Sequence, residues 1–258
     1  MKCILIDAGN SRLKLSIIDL STGSELYFSI FDYHNLFENL SSQLANFSIQ
    51  NVLISNVNSP RISHIISDVS LHLWGIKTHI VITEQNKYGI TTLYSNPKLL
   101  GSDRWLALIA ARIQSKKAVC VIDCGSAVTI DVLNDENIHL GGFITPGLSL
   151  SRKSLGQNTS KLPLKVEDDF SGKDKFSYYA TNTHDAISAG TLYQLSAYIE
   201  HIIAEIKNDV CDNIECIITG GDAIIAQKLI SHHLIYREKL VLDGLKVVAK
   251  DLYTKDFL

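Results

Sequence analysis

Between residues 13 and 19 the chain alternates, with Leu13, Leu15 and Ile17 apolar and Lys14 and Ser16 polar. That is the period of a strand with one buried face. The pattern predicts three short strands, near 2–7, 12–19 and 24–30. The period then lengthens: Leu36, Phe37, Leu40 and Leu44 recur at helical spacing and predict a helix near 34–46. A strand at 51–57, a helix from Pro60 to Leu73 and a strand at 78–82 come next. Pro60 suits a first helical turn, where its missing N–H costs nothing. A helix near 102–114 ends this half.

The second half repeats the order. Strands are expected near 118–123, 127–133 and 137–144, then a helix at 183–206, a strand at 215–219, a helix at 222–231 and a last helix from about Asp243. A shift of 116 residues lays Asp7 on Asp123 and Gly9 on Gly125. This is an internal duplication of domain size, with expected domains at 1–116 and 117–258. In the helix at 183–206, Leu192, Leu195, Ile199, Ile202 and Ile203 form an apolar stripe. It serves either an interface with a second copy or packing inside its own domain.

Composition narrows the class. With 46% hydrophobic and 20% charged residues the chain reads as an ordinary globular protein. Lys plus Arg number 24 against 27 Asp plus Glu, and no basic run exceeds Lys116-Lys117, so no nucleic-acid partner is expected. Five cysteines form neither an even set nor a CxxC pair, the usage of reduced thiols. A carboxylate at position 7 arrives too soon for a signal-peptide core, and no apolar run approaches the roughly 20 residues of a membrane helix. A cytoplasmic protein with no membrane partner is expected.

The duplicated segments "LIDAGNSRLKL" (5–15) and "VIDCGSAVTID" (121–131) share an apolar strand, Asp, any residue, Gly, a hydroxyl-bearing turn and a second strand. Either copy alone also fits a plain structural turn. Two copies in matching element orders favour a pair of phosphate-binding hairpins. Glycine lets backbone N–H groups approach an anion, and Asn10, Ser11 and Ser126 add donors. Asp7 and Asp123 suit such a site when a cation, Mg²⁺ or a monovalent ion, lies between them and the phosphates. Lys14 either adds charge or is plain strand surface. A third element, "CIITGGDA" (216–223), is either a tight strand-to-helix turn or a backbone approach to a nucleotide.

This constellation resembles the actin–Hsp70–sugar kinase superfamily. The resemblance implies an α/β fold of two ribonuclease-H-like (actin-like ATPase) domains with ATP in an interdomain cleft. The ATP-binding residues it implies are Asp7, Ala8, Gly9, Asn10, Ser11, Arg12, Leu13, Lys14 and Ser126, with an adenosine turn at Thr219–Ala223.

The most specific stretch is "YSNPKLLGSDRWLALIAA" (94–111), where Gly101-Ser102-Asp103-Arg104 opens a helix with Ser102 as the expected N-cap. By spacing alone, Asp103 also suits the helix dipole and Arg104 a surface pair. Together with "DCGSAVTID", "GGFITPG" (141–147) and "NTHDAISAG" (182–190), the stretch is similar to type III pantothenate kinase, from Asp7 to Asp222. That similarity implies phosphorylation of pantothenate by ATP, the step that opens coenzyme A synthesis. It implies Asp103 as general base, and Tyr94, Gly101, Ser102, Asp103, Arg104 and Thr183 as substrate-binding residues. It further implies Asp123 as a ligand of K⁺ or NH₄⁺, Mg²⁺ with the nucleotide, and a homodimer. Ser11 and Ser126 stand where the family usually has threonine, which keeps the hydroxyl and loses a methyl contact. The alternatives are a superfamily kinase with another hydroxyl acceptor, or a non-catalytic regulatory paralogue of the Bvg accessory factor type. The intact Asp7, Asp103 and Asp123 argue against the latter.

Overall fold

The computed structural model describes residues 1–158 and 179–254. In chain order its elements are β1 (Lys2–Ala8), β2 (Leu13–Asp19), β3 (Glu25–Phe31), α1 (Leu36–Leu44), β4 (Asn51–Asn56), α2 (Pro60–Trp74), β5 (His79–Ile80), β6 (Asn86–Lys87), β7 (Ile90–Thr92) and α3 (Ser102–Gln114). Then come β8 (Val119–Cys124), β9 (Ala127–Leu133), β10 (Ile138–Pro146), α4 (Leu148–Asn158), α5 (Thr183–Asp209), β11 (Glu215–Thr219), α6 (Ala223–Gln227), β12 (Ile235–Tyr236) and α7 (Leu240–Tyr253). They form two compact units. The first comprises Met1–Lys116, Asn137–Gly141 and the chain from Lys239; the second comprises Lys117–Glu136 and Gly142–Glu238.

In the first unit the strand order is β3-β2-β1-β4-β5. β1 runs antiparallel to β2 and parallel to β4. Alternation sends Ile4, Ile6, Ala8, Leu13, Leu15 and Ile17 to one face, where they pack with Leu36 and Leu40 of α1 and Ile62 and Ile66 of α2. Pro60 opens α2 and Gly75, at φ 68°, closes it by donating its N–H to Leu71 O. On the other side α7 packs against α3 and β1.

The second unit orders its strands β12-β11-β8-β9-β10. Cys120, Ile122, Val128 and Ile130 pack against Leu192, Leu195, Ile199 and Ile203 of α5. The apolar stripe of α5 is therefore consumed by the core of its own unit and is not a free interface.

Three expectations change. The C-terminal helix, placed by sequence with the second domain, belongs to the first unit because Gly244 lets its backbone press onto α3. A Cβ at Gly244 would lie 2.1 Å from Leu106 O. The helix expected at 222–231 is confined to Ala223–Gln227, and α4 has no counterpart in the sequence reading. The duplication also loses step at the turns. Asp7 pairs with Lys14 across the first hairpin, but Asp123 with Thr129 across the second, so the second turn is one residue shorter. Among the described residues no helix is long and apolar enough to cross a membrane.

The Gly244 contact is with main-chain atoms of α3, which cannot move aside cheaply. Gly244→Ala should therefore cost about 1–3 kcal/mol and lower the thermal midpoint by about 3–10 °C. A midpoint within about 1 °C of the parent would contradict this packing.

Candidate active site

At the C-terminal end of β1, Asp7 is buried between two neighbours in register: Lys14 on the antiparallel side and Ser55 on the parallel side. Side chains directly opposite in a sheet share a face, so all three point the same way. The Ser55 hydroxyl meets that of Ser102 at 2.9 Å, which seats the first turn of α3 over the ends of β1 and β4. Such strand ends are where open α/β sheets bind ligands.

Ser102 is therefore not the N-cap. Gly101 occupies that position without a side-chain cap, and the Ser102 hydroxyl turns to its buried partner on β4. The Asp103 carboxylate serves the helix start instead, its Oδ1 accepting the Arg104 backbone N–H at 2.8 Å. It folds back over Gly101, where a Cβ would lie 2.5 Å from Oδ1. Glycine at 101 is thus what leaves room for this carboxylate.

Arg104 is 7% exposed, and its Nη1 donates to the Tyr94 hydroxyl at 3.0 Å. Its guanidinium carbon sits 5.8 Å from the Tyr94 ring centre. The Tyr94 ring also stacks on His139, with centroids 5.7 Å apart and planes 16° from parallel. His139 is fully buried and shares a 2.9 Å hydrogen bond between its Nδ1 and the Thr92 hydroxyl, which also accepts from the Tyr94 backbone N–H at 3.2 Å. The first unit so gathers Asp7, Ser102, Asp103, Arg104 and Tyr94. Thr92 and His139 escape sequence reasoning because they lie 47 residues apart and meet only through the pairing of β7 with β10.

Within the first hairpin, Asn10, Ser11 and Arg12 are exposed at the turn. Ala8 and Leu13 put their side chains into the core, so only their backbone is available to a ligand. In the second unit the turn after Asp123 is pressed from two sides by glycine. A Cβ at Gly147 would lie 2.2 Å from Gly125 O, and Gly147 N donates to Ser126 O at 3.0 Å. A Cβ at Gly220, φ 98°, would lie 2.4 Å from Cys124 O and 2.5 Å from Asp123 Oδ1. Gly220 thus lies close against the hairpin itself, while Gly221 faces open space. Thr183 opens α5, exposed, and lines a groove of about 530 Å³ with Leu155, Ala186, Gly190 and Gln194. Residues of the second hairpin take no part in that groove.

Residues 3–205 match the family model described as type III pantothenate kinase. The type III pantothenate kinase of Nitrosococcus oceani is 33% identical over 254 residues, which cover 96% of this chain and 94% of that one. Among solved structures, a Campylobacter jejuni protein placed in the Baf family of transcriptional activators aligns at TM-score 0.57 and 23% identity, covering 96% of this chain and 98% of that one. MreB 5 of Spiroplasma citri, bound to AMPPNP, aligns at TM-score 0.50 and 11% identity, covering 97% and 96%. At these identities the two structures show the fold alone, that of the actin-like ATPases and sugar kinases. With nearly four-fifths of its length inside the family model and its sequence aligned end to end with a curated relative, the chain belongs to the type III pantothenate kinase family.

Proposed function

We propose that the chain transfers the γ-phosphoryl group of ATP to the primary hydroxyl of pantothenate, giving 4'-phosphopantothenate and ADP in the first step of coenzyme A biosynthesis. The observation that carries this reading is the Asp103 carboxylate, half-buried at the start of α3 next to the Arg104–Tyr94 pair. As the acceptor oxygen attacks the γ-phosphorus, Asp103 takes its proton, and the bond to the β–γ bridging oxygen breaks. Arg104, steadied by Tyr94, helps hold the acceptor, with Gly101, Ser102 and Thr183 as further contacts. Backbone N–H groups of the first turn, with the hydroxyls of Ser11 and Ser126, hold phosphate oxygens. Most of the acceleration comes from positioning and charge neutralisation.

Asp123 and Asp7 each offer a single carboxylate at the end of a strand, and oxygen donors of this kind suit hard cations. The Asp123 carboxylate also lies against the glycine backbone at Gly125 and Gly220. One carboxylate in such surroundings suits a monovalent ion, K⁺ or NH₄⁺, and Asp7 suits Mg²⁺ carried by the nucleotide. When bound, these cations neutralise charge on the phosphates. The proposal includes a cytoplasmic homodimer. With the Leu192–Ile203 stripe buried in its own unit, the surface of α5 open to a second copy is its exposed side, with Thr183, Ala186, Gly190 and Ala197.

Two outcomes are expected. Asp103→Asn keeps shape and hydrogen bonding but removes the proton acceptor. Turnover should fall about 10²-fold or more while calorimetry still registers ATP and pantothenate binding. Near-normal turnover would remove Asp103 from the role of base. In steady-state assays at fixed Mg²⁺, K⁺ or NH₄⁺ should raise the rate and Na⁺ should do little, and Asp123→Asn should abolish that difference. Equal rates in Na⁺ and K⁺ would contradict the cation site.

A further inference from the structure

The turn that joins β1 to β2 is exposed at Asn10, Ser11 and Arg12, yet its peptide groups are not left to choose their own orientation. The Tyr33 hydroxyl donates to Gly9 O. The Asn58 side-chain amide donates to Gly9 O at 3.0 Å and to Asn10 O at 3.2 Å. Two consecutive carbonyls are thus drawn toward one side of the turn by side chains that come from outside it.

In a trans peptide the C=O and the following N–H point in opposite directions. Fixing Gly9 C=O fixes the Asn10 N–H, and fixing Asn10 C=O fixes the Ser11 N–H, both away from the clamp. Successive N–H groups that face one way are an anion-binding arrangement. Without the clamp, rotation of either peptide plane would present a carbonyl oxygen where a phosphate oxygen belongs, and the glycine at position 9 makes such a rotation easy. We infer that Asn58 and Tyr33 are positioning residues for the nucleotide, which aim the Asn10 and Ser11 N–H groups at its phosphates. The inference rests on the kinase reading above and assigns residues that reading does not use.

The clamp is itself anchored. Asn58 Oδ1 accepts the Ser59 N–H at 2.7 Å, which leaves its amide nitrogen facing the turn. The Asn58 backbone N–H donates to Asn56 Oδ1 at 2.8 Å, and Asn56 Nδ2 donates to Ser63 Oγ at 2.7 Å and Ser59 O at 3.1 Å. This ties the clamp to the first turn of α2 and the end of β4. Tyr33 packs its ring against the apolar core of the first unit. Burial pushes its phenol up to about 12, so it stays a donor at any working pH.

Asn58→Asp is the sharpest test. It keeps the size of the side chain and the acceptor for Ser59 N–H, but turns an oxygen toward two carbonyl oxygens. Tyr33→Phe keeps the ring and deletes one donor. With Mg²⁺-ATP and pantothenate as substrates, Asn58→Asp should raise the KM for ATP about 10-fold or more, and Tyr33→Phe about 3- to 5-fold. The KM for pantothenate should stay within about twofold of the parent. In the nucleotide-free protein, backbone ¹⁵N order parameters across residues 9–12 should fall in Asn58→Asp, while the thermal midpoint stays near the parent's. Folded variants with parental ATP KM and parental order parameters would overturn the inference. So would KM values for ATP and pantothenate that rise together. If the parent protein itself phosphorylates no pantothenate, the functional reading falls, and the order parameters still decide the clamp.

Discussion

The site depends on one constraint of strand pairing: a central strand with an antiparallel neighbour on one side and a parallel neighbour on the other. β1 lies between β2 and β4, and β8 lies between β9 and β11. At the C-terminal end of such a strand, a tight turn and the end of a parallel strand arrive together. A carboxylate placed there is flanked in register on both sides: Asp7 by Lys14 and Ser55, Asp123 by Thr129 and Thr219. The backbone of the turn, the carboxylate and the segment leaving the parallel strand are thereby gathered without any long-range coincidence.

The segment leaving the parallel strand differs between the two units. In the first, β4 leads into the Asn56–Ser59 network, and Ser55 meets Ser102, which places Asp103 at the same end of the sheet. In the second, β11 leads into Gly220, whose missing side chain lets the chain rest on Cys124 and Asp123. The first end is braced by side-chain amides and hydroxyls, the second by glycine backbone. Asp103, the proposed base, stands at the braced end, held in place by its own helix and by the room Gly101 leaves.

Much of this is legible in the sequence. The helix expected at 102–114 is found at Ser102–Gln114, because its apolar periodicity and its start at Gly101 agree. Both hairpins are legible because alternation and an Asp-x-Gly turn point to the same structure. The illegible parts are the non-local ones. Ser102 reads as a cap until Ser55, 47 residues earlier, supplies a buried partner. Gly244 in mid-helix signals a close backbone approach, since glycine there costs about 0.5–1 kcal/mol against alanine. Nothing local says that the approach is to α3. The α5 stripe shows that a face is buried but not against what, and the structure buries it within its own unit. His139 and Thr92 carry no motif, and their place beside Tyr94 comes only from the β7–β10 register.

The central claim is the chemical one, that this arrangement phosphorylates a primary alcohol and that the alcohol is pantothenate. It is tested most directly by incubating the purified protein with Mg²⁺-ATP, K⁺ and each member of a panel of pantothenate, hexoses and short carboxylic acids, with products identified by mass. The account predicts ADP and 4'-phosphopantothenate in equal amounts, with no comparable phosphorylation of the other acceptors. Faster phosphorylation of a sugar or a carboxylate, or none of pantothenate, would contradict it.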